Sequence, residues 1–428
     1  LFFIIEFGVA MLKYFPLLLI TLLLFSCAPE EEPVIITGPD RFAEEDFTSI
    51  AGYRVGLVTN HTATVGDEHI ADIMHQSDVI ELKALFGPEH GIRGDAPAGA
   101  QIEDDVDEQT GVPVYSLYGD TRKPTPEMLE DVEILIFDIQ DIGARFYTYI
   151  STMGYAMQAA AEEGIPFIVL DRPNPLGGEL VEGFTLEEEF ASFVGMYPIP
   201  VVHGMTVAEL AEMIVAADML EGLDRLDLHI IEVLGWDRTM LWTDLERDWI
   251  PPSPNIPDFE TALIYPGACF FEGTIASEGR GTQQPFKQVG APWIDAEQLA
   301  DDMNERNLPG LEFEPVSFTP ESIEGMAVNP KFEGEEVHGV RYVITDMQSV
   351  RPVEAGVHLL HAFLQQAPDR EDFFIEDRFI RLAGTAQLHN MLLDGYSPED
   401  IIANWSDDVE NFKSLREPYL HYNEDMPL

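Results

Sequence analysis

The sequence predicts an α/β fold, a Rossmann-like parallel-sheet domain followed by a smaller α+β domain. Three observations predict it. Short β-rich apolar runs alternate with helical patterns of roughly 10–15 residues between Tyr53 and Val233. Each run ends abruptly in a polar turn, which is where open parallel sheets offer groups to ligands. Beyond a proline-rich stretch, Trp249 to Pro257, that alternation gives way to a mixture of strands and helices.

The elements follow in order. Tyr53 to Thr59 reads as the first strand and ends in Asn60-His61-Thr62; Asp67 to Gln76 then reads as a helix. Val79 to Phe86 is the second strand. It is stopped by Gly87-Pro88 and followed by Glu89, His90 and Arg93, with further glycines at 91 and 94. Gly-Pro halts a strand and glycine permits turns that other residues resist, so these polar groups are offered on a tight loop. Pro113 to Tyr118 is a third strand, and Thr125 caps a helix through Asp131. Val132 to Asp138 is a buried strand leading through Asp141 to Arg145. Ser151 to Glu163 is helical, and Ile165 to Leu170 is a strand ending in Asp171-Arg172-Pro173-Asn174-Pro175. Val201-Val202 ends a further strand at His203-Gly204. Thr206 to Met219 is an amphipathic helix, and Leu228 to Val233 closes the series.

Right-handed crossovers place all these strand ends on one edge. Asn60, Glu89, Tyr118, Asp138, Arg145, Asp171 and His203 are therefore expected to share a rim. Thr59-Asn60-His61 stands where a glycine-rich dinucleotide fingerprint would follow the first strand, so NAD is not expected. The rim belongs to a domain spanning 46–250. A proline-rich linker opens the second domain, 251–428, in which Gly279 and Gly281 put Glu278 and Arg280 on a tight loop. Gly339 to Thr345 reads as a strand. Glu354 to Gln365 and Pro398 to Phe412 read as helices, the latter capped by Ser397. This α+β domain is expected to close a cleft over the rim.

The first residues read as targeting. Leu1 to Ala10 resembles upstream read-through, because Met11 begins a signal peptide of its own, with Lys13 as its charge and Phe15 to Phe25 as its apolar stretch. Leu24-Phe25-Ser26-Cys27 resembles a bacterial lipoprotein box, so residues 1–27 are expected to direct export and Cys27 to carry lipid. Residues 28–45 form an acidic tether. The expected location is the cell envelope, periplasmic or outer membrane, with the membrane touched only through the lipid. Cys27 and Cys269 are the two cysteines. A lipidated Cys27 leaves no disulfide within the chain, so the core must hold the fold.

Acids outnumber bases 78 to 23, a net charge of −55, and they are spread along the whole chain. Such a surface repels nucleic acid and favours solution in salt. It reads as adaptation to salty surroundings, with no nucleic-acid partner.

Two loops carry chemistry: Gly-Pro-Glu-His-Gly around Glu89 and Ser-Glu-Gly-Arg-Gly-Thr around Glu278. Two carboxyl groups across a cleft, one protonated and one ionised, are the minimum apparatus for glycoside hydrolysis. Arginine grips a substrate carboxylate with paired hydrogen bonds, as a sugar acid such as muramic acid would need. His61, His90 and His203 all sit at strand ends, yet no HxxxH or Cys–His spacing accompanies them, so no metal is expected. Nothing in the pattern asks for a cofactor.

From about residue 40 onward the chain resembles the exo-β-N-acetylmuramidases of NamZ type. The resemblance rests on Phe-Gly-Pro-Glu-His-Gly-Ile-Arg-Gly (86–94), Asp-Ile-Gly-Ala-Arg-Phe-Tyr-Thr-Tyr (141–149) and Asp-Arg-Pro-Asn-Pro-Leu-Gly-Gly (171–178). It also rests on Pro-Ser-Pro-Asn-Ile-Pro (252–257), Glu-Gly-Thr (272–274) and Ser-Glu-Gly-Arg-Gly-Thr (277–282). Ile275 departs from the pattern, since the family more often has Asn there. The resemblance implies removal of N-acetylmuramic acid from non-reducing ends of peptidoglycan fragments, in a cleft between a Rossmann-like and a second α/β domain. It also implies that Glu89 is catalytic.

On that basis Glu89 is expected to be the general acid. His90 either orients it or contacts the sugar. Glu278 is the candidate second carboxylate, with Asp138 and Asp171 behind it as acids that equally suit a neighbouring arginine or a helix cap. Arg93, Arg145 and Arg280 are candidates for the lactyl carboxylate, although Arg145 also suits an ion pair with Asp141. Asn60, Asn174 and Asn255 suit sugar hydroxyls or an acetamido group, and equally suit turns. Two other readings use the same rim: an amidase or esterase, against which stands the lack of a Gly-x-Ser-x-Gly elbow, and a non-catalytic sugar-binding lipoprotein.

Overall fold

In the computed structural model the alternating runs form Arg54–Thr59 (β1), Thr64–Val65 (β2), Glu68–His69 (β3), Glu81–Gly87 (β4), Asp105–Val106 (β5), Pro113–Ser116 (β6), Ile134–Asp138 (β7), Phe167–Leu170 (β8) and Leu228–Ile231 (β9). The structure describes residues 34–94 and 104–422; the signal segment and Cys27 lie outside them. β7 and β8 are buried along their whole length, as strands covered on both faces must be.

The central sheet has seven strands in the order β5-β6-β4-β1-β7-β8-β9. All neighbours are parallel except β5, which runs antiparallel on the β6 edge. The chain steps outward from β1 to β4 and β6, returns to lay β7 against the other flank of β1, then steps outward again. That reversal creates a switch point between β1 and β7, where the loops part and leave a crevice beyond the carboxyl ends of the strands.

Helices Gly38–Glu44 (α1) and Ile70–Gln76 (α2) cover one face of the sheet, burying Phe42, Ile70 and Met74, so the end of the expected tether belongs to the fold instead, held by the apolar Phe42. Tyr149–Glu163 (α3) and Val207–Ala216 (α4) pack on the other. α4 carries a reciprocal cap between Thr206 and Glu209. The second half adds Phe259–Ala268 (α5), Gln288–Ala291 (β10), Ala296–Glu305 (α6), Leu311–Phe318 (β11), Val337–Ile344 (β12) and Pro352–Gln366 (α7). Four more helices follow: Glu376–Ala383 (α8), Gln387–Leu393 (α9), Pro398–Asn404 (α10) and Ser406–Arg416 (α11). Its sheet is antiparallel, in the order β10-β12-β11.

Several local expectations change. The helix expected from Asp67 begins at Ile70, because β2 and β3 form a small hairpin and His69 Nδ1 then accepts Ala71 N at 3.2 Å. Thr125 to Asp131 makes turns only. Val202 stays out of the central sheet and bridges Ala144 and Glu182 instead. The helix expected over Pro398 to Phe412 breaks at Trp405, whose ring lies 5.3 Å from that of Phe184.

Trp249 to Pro257 is a packed wall, not a free linker. Tyr149 donates its hydroxyl to Pro252 O at 2.6 Å, and Trp249 Nε1 donates to Ile256 O at 3.1 Å. One apolar core runs from Val58 and Phe137 in the sheet to Phe271, Val340 and Phe363 in the second half, so both halves belong to a single compact unit.

Candidate active site

Glu89 projects from a turn closed by Gly91 N donating to Pro88 O at 3.0 Å. The third residue of that turn, His90, has φ of 73°, where a non-glycine residue costs about 1–2 kcal/mol. His90 is buried, which holds the turn in place. Tyr118, beyond β6, donates its phenol to the Glu89 carboxylate. Burial and the charge of Glu89 push that phenol up to about 12, so it remains a donor through the neutral range.

The second acidic loop is tied to β10. Ser277 N donates to Gly290 O at 2.8 Å, and Phe286 N donates to Glu278 O at 2.7 Å. Gly279 and Gly281 have φ of 78° and 79°, and a Cβ at Gly279 would meet Gln284 O at 2.7 Å. Only glycine suits such a turn. The Glu278 side chain is buried; Lys331 Nζ lies 2.9 Å from Oε2 and Arg280 Nε 3.7 Å from Oε1.

Between the loops sits Glu272. Arg280 donates to its Oε1 at 2.7 Å and Arg378 to its Oε2 at 2.6 Å. Burial alone would raise its pKa, but the two guanidiniums outweigh that and hold the carboxyl well below its ordinary range. Arg280 also lies 5.0 Å over the Phe286 ring. Glu272 is therefore a hub that arranges two cations.

These groups line one cavity of about 650 Å³, beside the loops that follow β4, β6 and β7. The loop after β4 gives Glu89 and His90, and that after β6 gives Tyr118 and Arg122. The entry to α3 gives Tyr147 to Tyr149, and the proline-rich wall gives Asn255. The second half gives Glu272, Glu278, Arg280, Lys331 and Arg378. Asn255 donates to Met326 O at 2.7 Å, while its buried Oδ1 has no partner among the described residues.

Other expected contacts lie away from the cavity. Arg93 forks onto Asp72, at 2.9 and 2.7 Å, and onto Asp107, at 2.9 and 2.8 Å, and ties α2 to the chain before β6. Arg145 is wholly buried and pairs with no carboxylate among the described residues, Asp141 included. It donates to the carbonyls of Phe184, Ile199, Leu382 and Ala383 at 2.7 to 2.9 Å. Asp138 is a buried partner of Arg172, at 2.5 and 3.0 Å. Asp171 accepts Ala208 N at 3.0 Å and the Tyr422 hydroxyl, holding α4 and the chain's last described turn against β8. Burial pushes Asp171 up to about 7. Asn60 lies beneath the cavity, its Oδ1 accepting from Thr62 N at 3.0 Å and Thr62 Oγ1 at 2.6 Å, with its amide beside the Tyr149 phenol. Asn174 spans Met205 O and Leu176 N, both at 3.0 Å, as a turn former does.

Sequence reasoning overlooked Arg122, Lys331, Arg378 and Arg381 in the cavity wall. Arg378 and Arg381 had a local cue, two scarce arginines three apart on one helix. Lys331 had none, since it reaches the site across a loop with no pattern of its own. Glu272 lay in the quoted Glu-Gly-Thr motif without a role.

A Rossmann-ordered sheet with an α+β layer fused over its rim, and paired glutamates facing one cavity, defines a class of α/β cleft proteins. Within it, the chain belongs to the NamZ family. Residues 55–260 match the N-terminal and residues 263–422 the C-terminal profile of the exo-beta-N-acetylmuramidase NamZ. A relative from Bacillus subtilis strain 168, the peptidoglycan beta-N-acetylmuramidase NamZ, is 43% identical over 393 residues, covering 92% of each chain. Two DUF1343 family crystal structures from Bacteroides fragilis NCTC 9343 share the architecture. One has a TM-score of 0.84 at 38% identity and the other 0.73 at 33%; each alignment covers 91% of this chain and 99% of the other.

Proposed function

We propose that this protein is a glycoside hydrolase, an exo-β-N-acetylmuramidase that releases N-acetylmuramic acid from the non-reducing ends of peptidoglycan fragments. The observation that carries the reading is the meeting of Glu89 and Glu278, from opposite halves of the chain, in the wall of one cavity. Its volume suits a small saccharide. Support also comes from the B. subtilis relative, similar across nearly the whole length.

In this reading Glu89 gives its proton to the glycosidic oxygen as the bond to the anomeric carbon breaks. The leaving sugar departs with that proton. Glu278, its charge balanced by Lys331 and Arg280, faces the positive charge that develops at the anomeric carbon. Water then supplies a hydroxyl to that carbon and a proton to the carboxylate pair. Tyr118 orients Glu89 throughout.

The purified protein should release chromophore from a chromogenic N-acetylmuramide and not from the matching N-acetylglucosaminide. Release from neither would leave a sugar-binding protein. Release from the glucosaminide alone would change the substrate. Liberation of a lactyl or peptide group with the sugar bond intact would indicate an amidase or esterase.

The proposal includes export and anchoring to the cell envelope through lipid on Cys27, on the strength of residues 11–27 alone. Mass spectrometry of the mature N-terminus should find a diacylglyceryl Cys27; an unmodified N-terminus would refute the anchor.

A further inference from the structure

Five lysine and arginine side chains line the cavity: Arg122, Arg280, Lys331, Arg378 and Arg381. Four are already engaged. Arg280 and Arg378 share Glu272. Lys331 holds Glu278 together with the carbonyls of Phe271 and Ala276, at 2.9, 2.7 and 2.9 Å. Arg122 lies 4.5 Å over the Phe193 ring, and its charge acts on Tyr118, the partner of Glu89. Arg381 is exposed and makes no hydrogen bond or ion pair among the described residues.

Arg381 is nonetheless held in place by its backbone. It lies on α8 three residues beyond Arg378, a spacing that puts both on one face of the helix. The end of that helix is clamped where Arg145 takes the carbonyls of Leu382 and Ala383. A buried cation at a helix C-terminus both satisfies the last carbonyls and opposes the negative end of the helix dipole. The residue that sequence alone offered as a substrate contact instead fixes the helix that presents another arginine.

The chain carries a net charge of −55, a field that repels any anionic ligand. A carboxylate entering this cavity needs a local cation that neither a carboxylate nor an aromatic ring already holds. A guanidinium matches a carboxylate with two parallel hydrogen bonds.

We infer that Arg381 receives the carboxylate of the substrate, and that through it this cavity distinguishes an acid sugar from a neutral one. The inference rests on the hydrolase reading above. It is tested by measuring kcat and KM for the wild type, Arg381→Gln and Arg381→Lys. The substrates are a chromogenic N-acetylmuramide and the same compound with its lactyl carboxyl as a methyl ester.

Arg381→Gln should lose roughly 10- to 100-fold in kcat/KM on the acid, mostly as a higher KM, the range expected for a lost hydrogen-bonded charge. It should match the wild type on the ester, and Arg381→Lys should recover part of the loss. An unchanged melting temperature is expected, because the side chain holds nothing else together. Wild-type kcat/KM on the acid in Arg381→Gln would overturn the inference, as would an equal loss on acid and ester. A wild type that cleaves neither compound would instead remove the hydrolase reading on which it rests.

Discussion

Lys331 Nζ stands 2.9 Å from Glu278 Oε2, although 53 residues separate the two in sequence. The same ammonium reaches three backbone carbonyls of the segment that leads into the Glu278 loop, those of Phe271, Glu272 and Ala276. One cation thus sets both the path of the loop and the position of its carboxylate. Lys331→Met would remove the donor to Ala276 O and to Glu278 Oε2, and should cost about 2–3 kcal/mol of stability. It should also lower kcat more than it raises KM, with a shift in the pH–rate profile. Thermal melts and the profile check this; a stable variant with native kinetics would deny Lys331 both roles.

Glu89→Gln keeps the shape of the side chain and removes the transferable proton. A fall in kcat of roughly 100- to 10,000-fold is expected, the usual contribution of a general acid. The melting temperature should stay within a few degrees, because the turn is held by its own backbone bond and by buried His90. A substrate whose leaving group needs no proton should be cleaved with a smaller loss. Full activity on ordinary substrates would rule Glu89 out as the acid.

Arg93 tests the opposite outcome for a residue of the same loop. Its side chain holds Asp72 and Asp107, of which Asp107 is almost wholly buried. Burial pushes Asp107 up, but hydrogen bonds from Arg93 and Thr110 overcome this and bring it down to about 2 from an ordinary 3.8. A depressed carboxyl contributes stability above its unfolded pKa and loses it as pH falls through the folded one. The contribution should therefore be present above about pH 4 and fade toward pH 2. Arg93→Met should cost about 3 kcal/mol at neutral pH and flatten that acid limb, with native activity per folded molecule. Calorimetry across the range, with active-site-normalised rates, decides it; a large loss of kcat at full stability would return Arg93 to the site.

Glu182 sets the alkaline side. It is buried, its Oε2 accepts Val353 N at 3.2 Å, and burial followed by the charge of Glu354 pushes it up to about 8. A raised pKa works with the opposite sign. The contribution is whole below the ordinary value of 4.5 and is lost as pH rises through 8. Burial raises Asp141 and Asp171 to about 7, in the same direction. Stability should fall between pH 5 and pH 9, and Glu182→Gln should recover on the order of a few kcal/mol at the upper end. Denaturant melts at both pH values measure it; an identical fall in the variant would mean that Glu182 is not the group.

Local patterns revealed the acidic loops well. Gly87-Pro88 and the glycines at 279 and 281 fix turns through their own backbone, so Glu89 and Glu278 could be singled out without knowing their neighbours. The same polar-residue-at-a-strand-end pattern also marked Arg93, Arg145, Asp138 and Asp171. Their partners lie elsewhere: Asp72 and Asp107, four distant carbonyls, Arg172 and Tyr422. A strand end places a side chain at the rim, but which way it turns depends on which partner can satisfy its charge.

What this chain determines from sequence alone is the period of its burial and the position of its turns, because both arise from residues adjacent in the chain. That is enough to specify a parallel α/β sheet with polar groups at its carboxyl edge. Tertiary packing decided which of those groups remained available to a ligand. Buried charges must be matched wherever the fold brings a counter-charge or a carbonyl within reach. Arg145 was consumed in clamping a helix, Lys331 was drawn in from a featureless loop, and Arg381 was left uncommitted, outcomes that only the folded chain could settle.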